Sequence, residues 1–93
     1  MITIRFFTKL RQHFDINQST IKIDFFSNCT IFNILKLLDK KLHREISSHL
    51  IQEKDKKITD GIILFVNGKK QIKTDIKLTD KDILEFYTPP LGG

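Results

Sequence analysis

A single helical apolar period, set between stretches that alternate, restricts this chain most. Ile31, Ile34, Leu35, Leu38 and Leu42 fall at i, i+3, i+4, i+7 and i+11, one stripe on one face of a helix. On either side the period is two. In residues 2–7, ITIRFF, Ile2, Ile4 and Phe6 point one way and Thr3, Arg5 and Phe7 the other. Residues 20–26, TIKIDFF, put Ile21, Ile23 and Phe25 on one face, and the final run ILEFY, residues 83–87, puts Leu84 and Phe86 together. One amphipathic helix can cover one face of one small sheet, so the pattern predicts a two-layer α+β domain.

Local signals fill in the rest. Residues 8–16 read as an irregular or short helical turn around Leu10 and Phe14, which makes the first two strands a hairpin with a long connection. Thr30 or Asn28 is placed to cap the main helix, although Asn33 rather than Glu leaves a capping box incomplete. A second, weaker helix runs through Ile46, Leu50 and Ile51, and residues 53–60, EKDKKITD, read as a polar loop. IILFV, residues 62–66, is too short for a helix and is followed by Asn67-Gly68, a strong hairpin signal. If the first and last strands pair in parallel, the helix lies in the crossover between them, and the chain then leaves the sheet at its edge.

At 93 residues the chain has room for one domain. A chain this short buries about 60–70% of its unfolded surface, enough for one core but not for a deep catalytic cavity. One cysteine, Cys29, excludes an internal disulfide and a multi-thiolate zinc site; burial as a small hydrophobe is the reading for it. No apolar run approaches a membrane span and no signal-peptide pattern opens the chain, which points to a soluble cytoplasmic protein. The net charge is +5, but thirteen of the sixteen bases are lysine, and fifteen isoleucines stand beside one valine and no alanine. That skew resembles an A/T-rich coding bias more than selection for phosphate contacts, which favours arginine. Lys54, Lys56, Lys57, Lys69 and Lys70 therefore read first as solvated surface and only then as a nucleic-acid footprint.

Internal chemistry is sparse. His13, His43 and His49 have no ligand spacing, so no metal site is expected, and Asp80 and Asp82 around Lys81 read as a turn before a strand. Four of the six glycines and prolines lie in the last five residues, Pro89, Pro90, Gly92 and Gly93. At average glycine usage a closing Gly-Gly arises by chance about once in two hundred chains. Without a Cβ, Gly92 and Gly93 can thread a channel that bars side chains. The Gly93 carboxylate is an acyl donor once its oxygen is made a leaving group, and Pro89-Pro90 stiffens the arm that carries it. The division expected is a folded domain over 1–87 and a tail over 88–93.

In these pieces the sequence resembles the MoaD/ThiS group of β-grasp, ubiquitin-like sulfur-carrier proteins. ITIRFFTKLRQHF resembles the group's opening strand and Leu-Arg turn, TIFNILKLL its Thr-initiated helix, and ILFVNGK its strand ending in Val-Asn-Gly. LTDKDILEFYTPPLGG resembles its closing turn, strand, proline pair and Gly-Gly. Pro-Pro and the length favour MoaD, the small subunit of molybdopterin synthase. Two departures stand out: only Leu91 separates Pro-Pro from Gly-Gly, and Lys81 replaces a glycine often found between the two aspartates.

The resemblance implies a β-grasp fold, a mixed sheet of four to five strands with one main helix on one face. It implies a carrier, not an enzyme: an E1-like adenylating enzyme, using ATP and magnesium, would activate Gly93, with Gly92 giving access. A sulfur donor would leave a thiocarboxylate there, and a MoaE-like large subunit of molybdopterin synthase would receive it. No permanently bound cofactor and no membrane partner are implied. The alternatives are a ubiquitin-like modifier joined through Gly93 to lysines, or a carrier for thiamine or tRNA thiolation. Strand alternation places Phe7 and Tyr87 on the face away from the helix, with Phe65 or its neighbours beside them. Together with Pro89, Pro90 and Leu91 these are the expected partner contacts.

Overall fold

The structure is a computed structural model and describes residues 1–7, 9–14 and 20–88. Its strands are β1 (Ile2–Phe6), β2 (Thr20–Ile23), β3 (Ile51–Gln52), β4 (Lys57–Ile58), β5 (Ile63–Val66), β6 (Lys69–Gln71) and β7 (Ile83–Tyr87). Its helices are α1 (Lys9–His13), α2 (Ile31–Leu42) and α3 (Ser47–Leu50). The main sheet has the order β2-β1-β7-β5-β6, with β1 and β7 parallel and the other neighbours antiparallel. β3 and β4 form a separate two-stranded ribbon.

The parallel β1–β7 pair requires a crossover, and α2 lies within it. Its stripe residues Ile31, Ile34, Leu35 and Leu38 are fully buried in one core with Ile2, Ile4, Phe6, Leu64, Leu84 and Phe86. Burial of each such side chain is worth about 1.5–3 kcal/mol relative to exposure, so the stripe anchors the two layers. Thr30 caps the helix: its Oγ1 accepts from the Asn33 amide at 3.1 Å. The two preceding helix amides donate to the carbonyls of Ile76 and Thr74, so the N-terminus is satisfied by protein. At the other end His43 takes the left-handed conformation, φ 55°, that stops the helix. Asp39 then accepts from the amides of Ile46 and Ser47 at 2.9 and 2.8 Å, which fixes α3 against α2.

Asn67 and Gly68 have φ of 52° and 84°, both positive, as a two-residue hairpin loop requires, and Val66 pairs with Lys69 across it. Four expectations need correction. The second strand stops at Ile23, and Phe26, not the more exposed Phe25, packs on the core, because the turn at Ser27-Asn28 resets the alternation. Residues 53–60 are not all loop, since Lys57 and Ile58 pair back onto Ile51 and Gln52. The second helix spans only Ser47–Leu50, and Ile51 is already strand. Finally, β7 is the middle strand of five, so the described chain leaves the centre of the sheet, not its edge. Hydrogen bonding selects this place: β7 must pair with β1 and β5 at once, and its buried residues Leu84 and Phe86 need cover on both sides.

Candidate functional site: the end of the central strand

The end of β7 is where three of the expected partner residues, Phe7, Phe65 and Tyr87, meet. Register sets Arg5 opposite Glu85 and Phe65 opposite Glu85 on the other side, so Arg5, Glu85 and Phe65 share the face away from α2. Arg5 and Glu85 pair across that face at 3.7 Å. One step further along the same face, the Phe7 and Tyr87 rings stack at 4.6 Å between centroids and 5° between planes. Phe65 meets Tyr87 edge-on at 5.6 Å and 82°. All three rings are half-buried. The Phe7 amide donates to the Phe86 carbonyl at 3.1 Å, so the ladder continues one residue past β1 and holds Phe7 beside Tyr87.

The structure thus brings Phe7, Phe65 and Tyr87 together. Pro89, Pro90, Leu91, Gly92 and Gly93 lie outside the described residues. Thr88 lines a cavity of about 300 Å³ with Lys9, Leu10, His13, Phe14, His49 and Ile62. An apolar, ring-lined surface around a strand end can grip a partner by burial and orient it by the flanking Arg5–Glu85 pair.

The remaining candidates separate cleanly. Cys29 is buried, 1% exposed, and burial pushes its thiol up, away from reactivity. Among the described residues no three His, Cys, Asp or Glu side chains are grouped to hold a metal. Asp82 is a structural carboxylate. Its Oδ2 accepts from the Thr79 amide at 2.7 Å, and its Oδ1 accepts from Thr79 Oγ1 and Asn67 Nδ2, each at 2.8 Å. Burial raises its pKa, but these hydrogen bonds outweigh burial and hold it below the ordinary carboxylate value. Asn67 Oδ1 in turn accepts from the Ile83 amide at 2.9 Å, locking the β5–β6 turn to the start of β7. Lys81 adopts φ 73°, the conformation glycine favours, so the turn keeps its shape despite the lysine. Of the lysines singled out, Lys57 pairs with Asp60 at 3.5 Å, and Lys69 and Lys70 lie on the edge strand β6.

Sequence reasoning missed one grouping: His13 on α1 and His49 on α3 stand 5.5 Å apart, ring centre to ring centre. No spacing rule reaches between two separate elements, so only tertiary structure reveals it.

No protein-family profile and no curated protein matches the sequence. Solved structures do match by shape. SAMP1, the small archaeal modifier protein 1 of Haloferax volcanii, superposes over 99% of this chain and 98% of its own, with 20% identity and a TM-score of 0.76. A chain of the Amycolatopsis orientalis BexX/CysO complex superposes over 100% of both chains, at 20% identity and TM-score 0.75. A Pyrococcus furiosus protein assigned as molybdopterin converting factor, subunit 1, superposes over 96% of this chain and 97% of its own, at 14% identity and TM-score 0.69. Among the described residues no helix is long and apolar enough to cross a membrane. With a mixed five-stranded sheet, a crossover helix on one face and these structural neighbours, the chain has the β-grasp, ubiquitin-like fold that its resemblance to the MoaD/ThiS group implies.

Proposed function

We propose that this protein is a ubiquitin-like sulfur carrier, with Gly93 as its working end and molybdopterin synthesis as its client pathway. The observation that supports it most is positional. The half-buried rings of Phe7, Tyr87 and Phe65 gather where the central strand ends, and the sequence that follows is Pro89-Pro90-Leu91-Gly92-Gly93. In this reading the aromatic face docks an E1-like adenylating enzyme, and the slim Gly92-Gly93 end enters its channel. The Gly93 carboxylate attacks the α-phosphorus of ATP, forming an acyl-adenylate and releasing pyrophosphate. Hydrosulfide, delivered by a sulfur donor, adds to the acyl carbon and expels AMP, leaving the thiocarboxylate. A MoaE-like subunit then takes the sulfur. The carrier supplies the acyl group and the docking face, and its partners supply the catalytic side chains.

The likeness to SAMP1 supports a second reading, a modifier joined through Gly93 to lysine amines. Both begin with adenylation, and intact mass spectrometry divides them. After incubation with a cognate adenylating enzyme, ATP and a sulfur donor, the carrier exchanges one oxygen for sulfur. Lysine-linked adducts without that exchange favour the modifier, and an unchanged mass refutes both.

A further inference from the structure

His13 and His49 meet in a setting that suits a metal ion. An ion about 2.0–2.1 Å from an imidazole nitrogen lies about 3.2 Å from the ring centre, so two imidazoles at a tetrahedral angle have centres about 5.2 Å apart. The two ring centres here are 5.5 Å apart and the ring planes lie 79° apart, an edge-type contact. Both side chains are solvent-exposed, so an ion and its waters can reach them. Both are also held from beneath. The Phe14 ring, 6% exposed, lies 5.2 Å from His13 and 5.8 Å from His49. The Phe14 amide donates to the Leu10 carbonyl, and the Phe14 carbonyl accepts from the Arg44 guanidinium, which ties α1 to the segment after α2. The Asp39 carboxylate fixes α3. Two ligands on anchored elements need little reordering to close on an ion.

We infer that His13 and His49 form a two-imidazole site for a divalent transition metal of the zinc, nickel and copper class, with water in the remaining positions. The chemistry of the surroundings narrows the ion. Among the described residues, the lining of the cavity at these rings includes Lys9 and no carboxylate. Hard cations such as magnesium and calcium prefer oxygen ligands, whereas imidazole suits borderline metals. Lys9 repels any divalent ion, so binding rests on coordination. Thr88 lines the same cavity, which places the ion beside the exit of β7. The inference is independent of the sulfur-carrier reading, since it concerns binding of the ion alone.

Calorimetric titration of the untagged protein with zinc chloride and with nickel chloride tests it. The expected result is one ion per chain, and no heat with magnesium. His13→Phe and His49→Phe keep the ring packing on Phe14 and remove the ligand; each should weaken binding at least tenfold, while His43→Phe changes nothing. Lys9→Gln should tighten binding a few-fold, and His13→Cys should retain zinc. Amide NMR spectra establish that each variant is folded, and Gln replaces Phe at either position if the larger ring disturbs packing. No saturation below about 1 mM zinc, an affinity too weak for a built site, overturns the proposal. So does equal affinity in the His13 and His49 variants, or loss of binding in the His43 variant.

Discussion

Replacing Asp82 with alanine tests whether one carboxylate holds the start of the central strand to its neighbours. The side chain is 9% exposed and accepts three hydrogen bonds of 2.7–2.8 Å, from the Thr79 amide, the Thr79 hydroxyl and Asn67 Nδ2. Alanine leaves three donors without an acceptor, at a rim where water can reach some of them. At about 1 kcal/mol for each bond the loss is about 3 kcal/mol. A chain of this length has a total stability on the order of 5–14 kcal/mol, so the effect is a substantial fraction of it. With a urea m-value of about 1.5 kcal/mol/M, the midpoint at pH 7 falls by about 2 M. The pH dependence follows from the lowered pKa. In the unfolded chain the group titrates near 3.8, and in the fold it titrates lower. The carboxylate's share of stability is therefore complete above the unfolded value and is lost as pH falls through the folded one. The gap between wild type and Asp82→Ala should narrow between pH 5 and pH 3. Asp80→Ala is the control: its carboxyl is solvent-exposed and contacts the Met1 amino group, so it should barely move the midpoint at pH 7. A gap below about 1 kcal/mol at pH 7, or one that stays constant down to pH 3, would refute the reasoning.

Three further perturbations address other parts of the molecule. Tyr87→Ala removes a stack and an edge contact and should cost about 1–2 kcal/mol in urea unfolding, with Phe7→Ala close behind. Under the proposed function both variants should also bind an adenylating partner at least tenfold more weakly by calorimetry, and unchanged affinity would remove the aromatic face from the docking surface. Lys81→Gly relieves a left-handed lysine at the cost of a freer unfolded chain; thermal unfolding should show no loss and a gain of up to about 1 kcal/mol, whereas Lys81→Val should destabilise. Thr30→Ala deletes the cap of the main helix and should lower stability by about 1 kcal/mol, with Thr30→Ser restoring most of it.

What could be read from the sequence, and what could not, divides by the range of the interaction that decides each feature. The α2 stripe, the buried faces of β1 and β7 and the Asn67-Gly68 turn are set by neighbours within a turn or a pleat, and they stand where the periods put them. The end of β2 and the β3–β4 ribbon depend on partners elsewhere, and strands of two residues carry no period at all. Phe65 shows the limit inside a single strand. Every residue of IILFV is apolar, so alternation cannot say which of them turn inward. Pairing decides it: Leu64 stands opposite the buried Phe86, which leaves Phe65 opposite Glu85 on the open face. Tyr87 needed no such help, because burial of Leu84 and Phe86 fixes its parity.

The same logic explains why the end of β7 carries an aromatic face. A last strand at the edge of a sheet would need cover from one neighbour only and would leave its rings scattered along a margin. As the central strand it has a ring from β5 on one side of Tyr87 and the ring just past β1 on the other. Three half-buried rings therefore converge from three strands at the point where the chain departs, and the parallel β1–β7 pair, which needs the α2 crossover, is what makes that convergence geometrically available. Flattening the helix stripe should accordingly damage the aromatic face at a distance. Leu38→Ala, buried on the opposite layer, is expected to cost about 2–5 kcal/mol. In a folded sample, it should broaden or shift the ring signals of Phe7 and Tyr87 in NMR spectra, while ring signals that stay sharp and unmoved would mean that the face is organised by the strands alone.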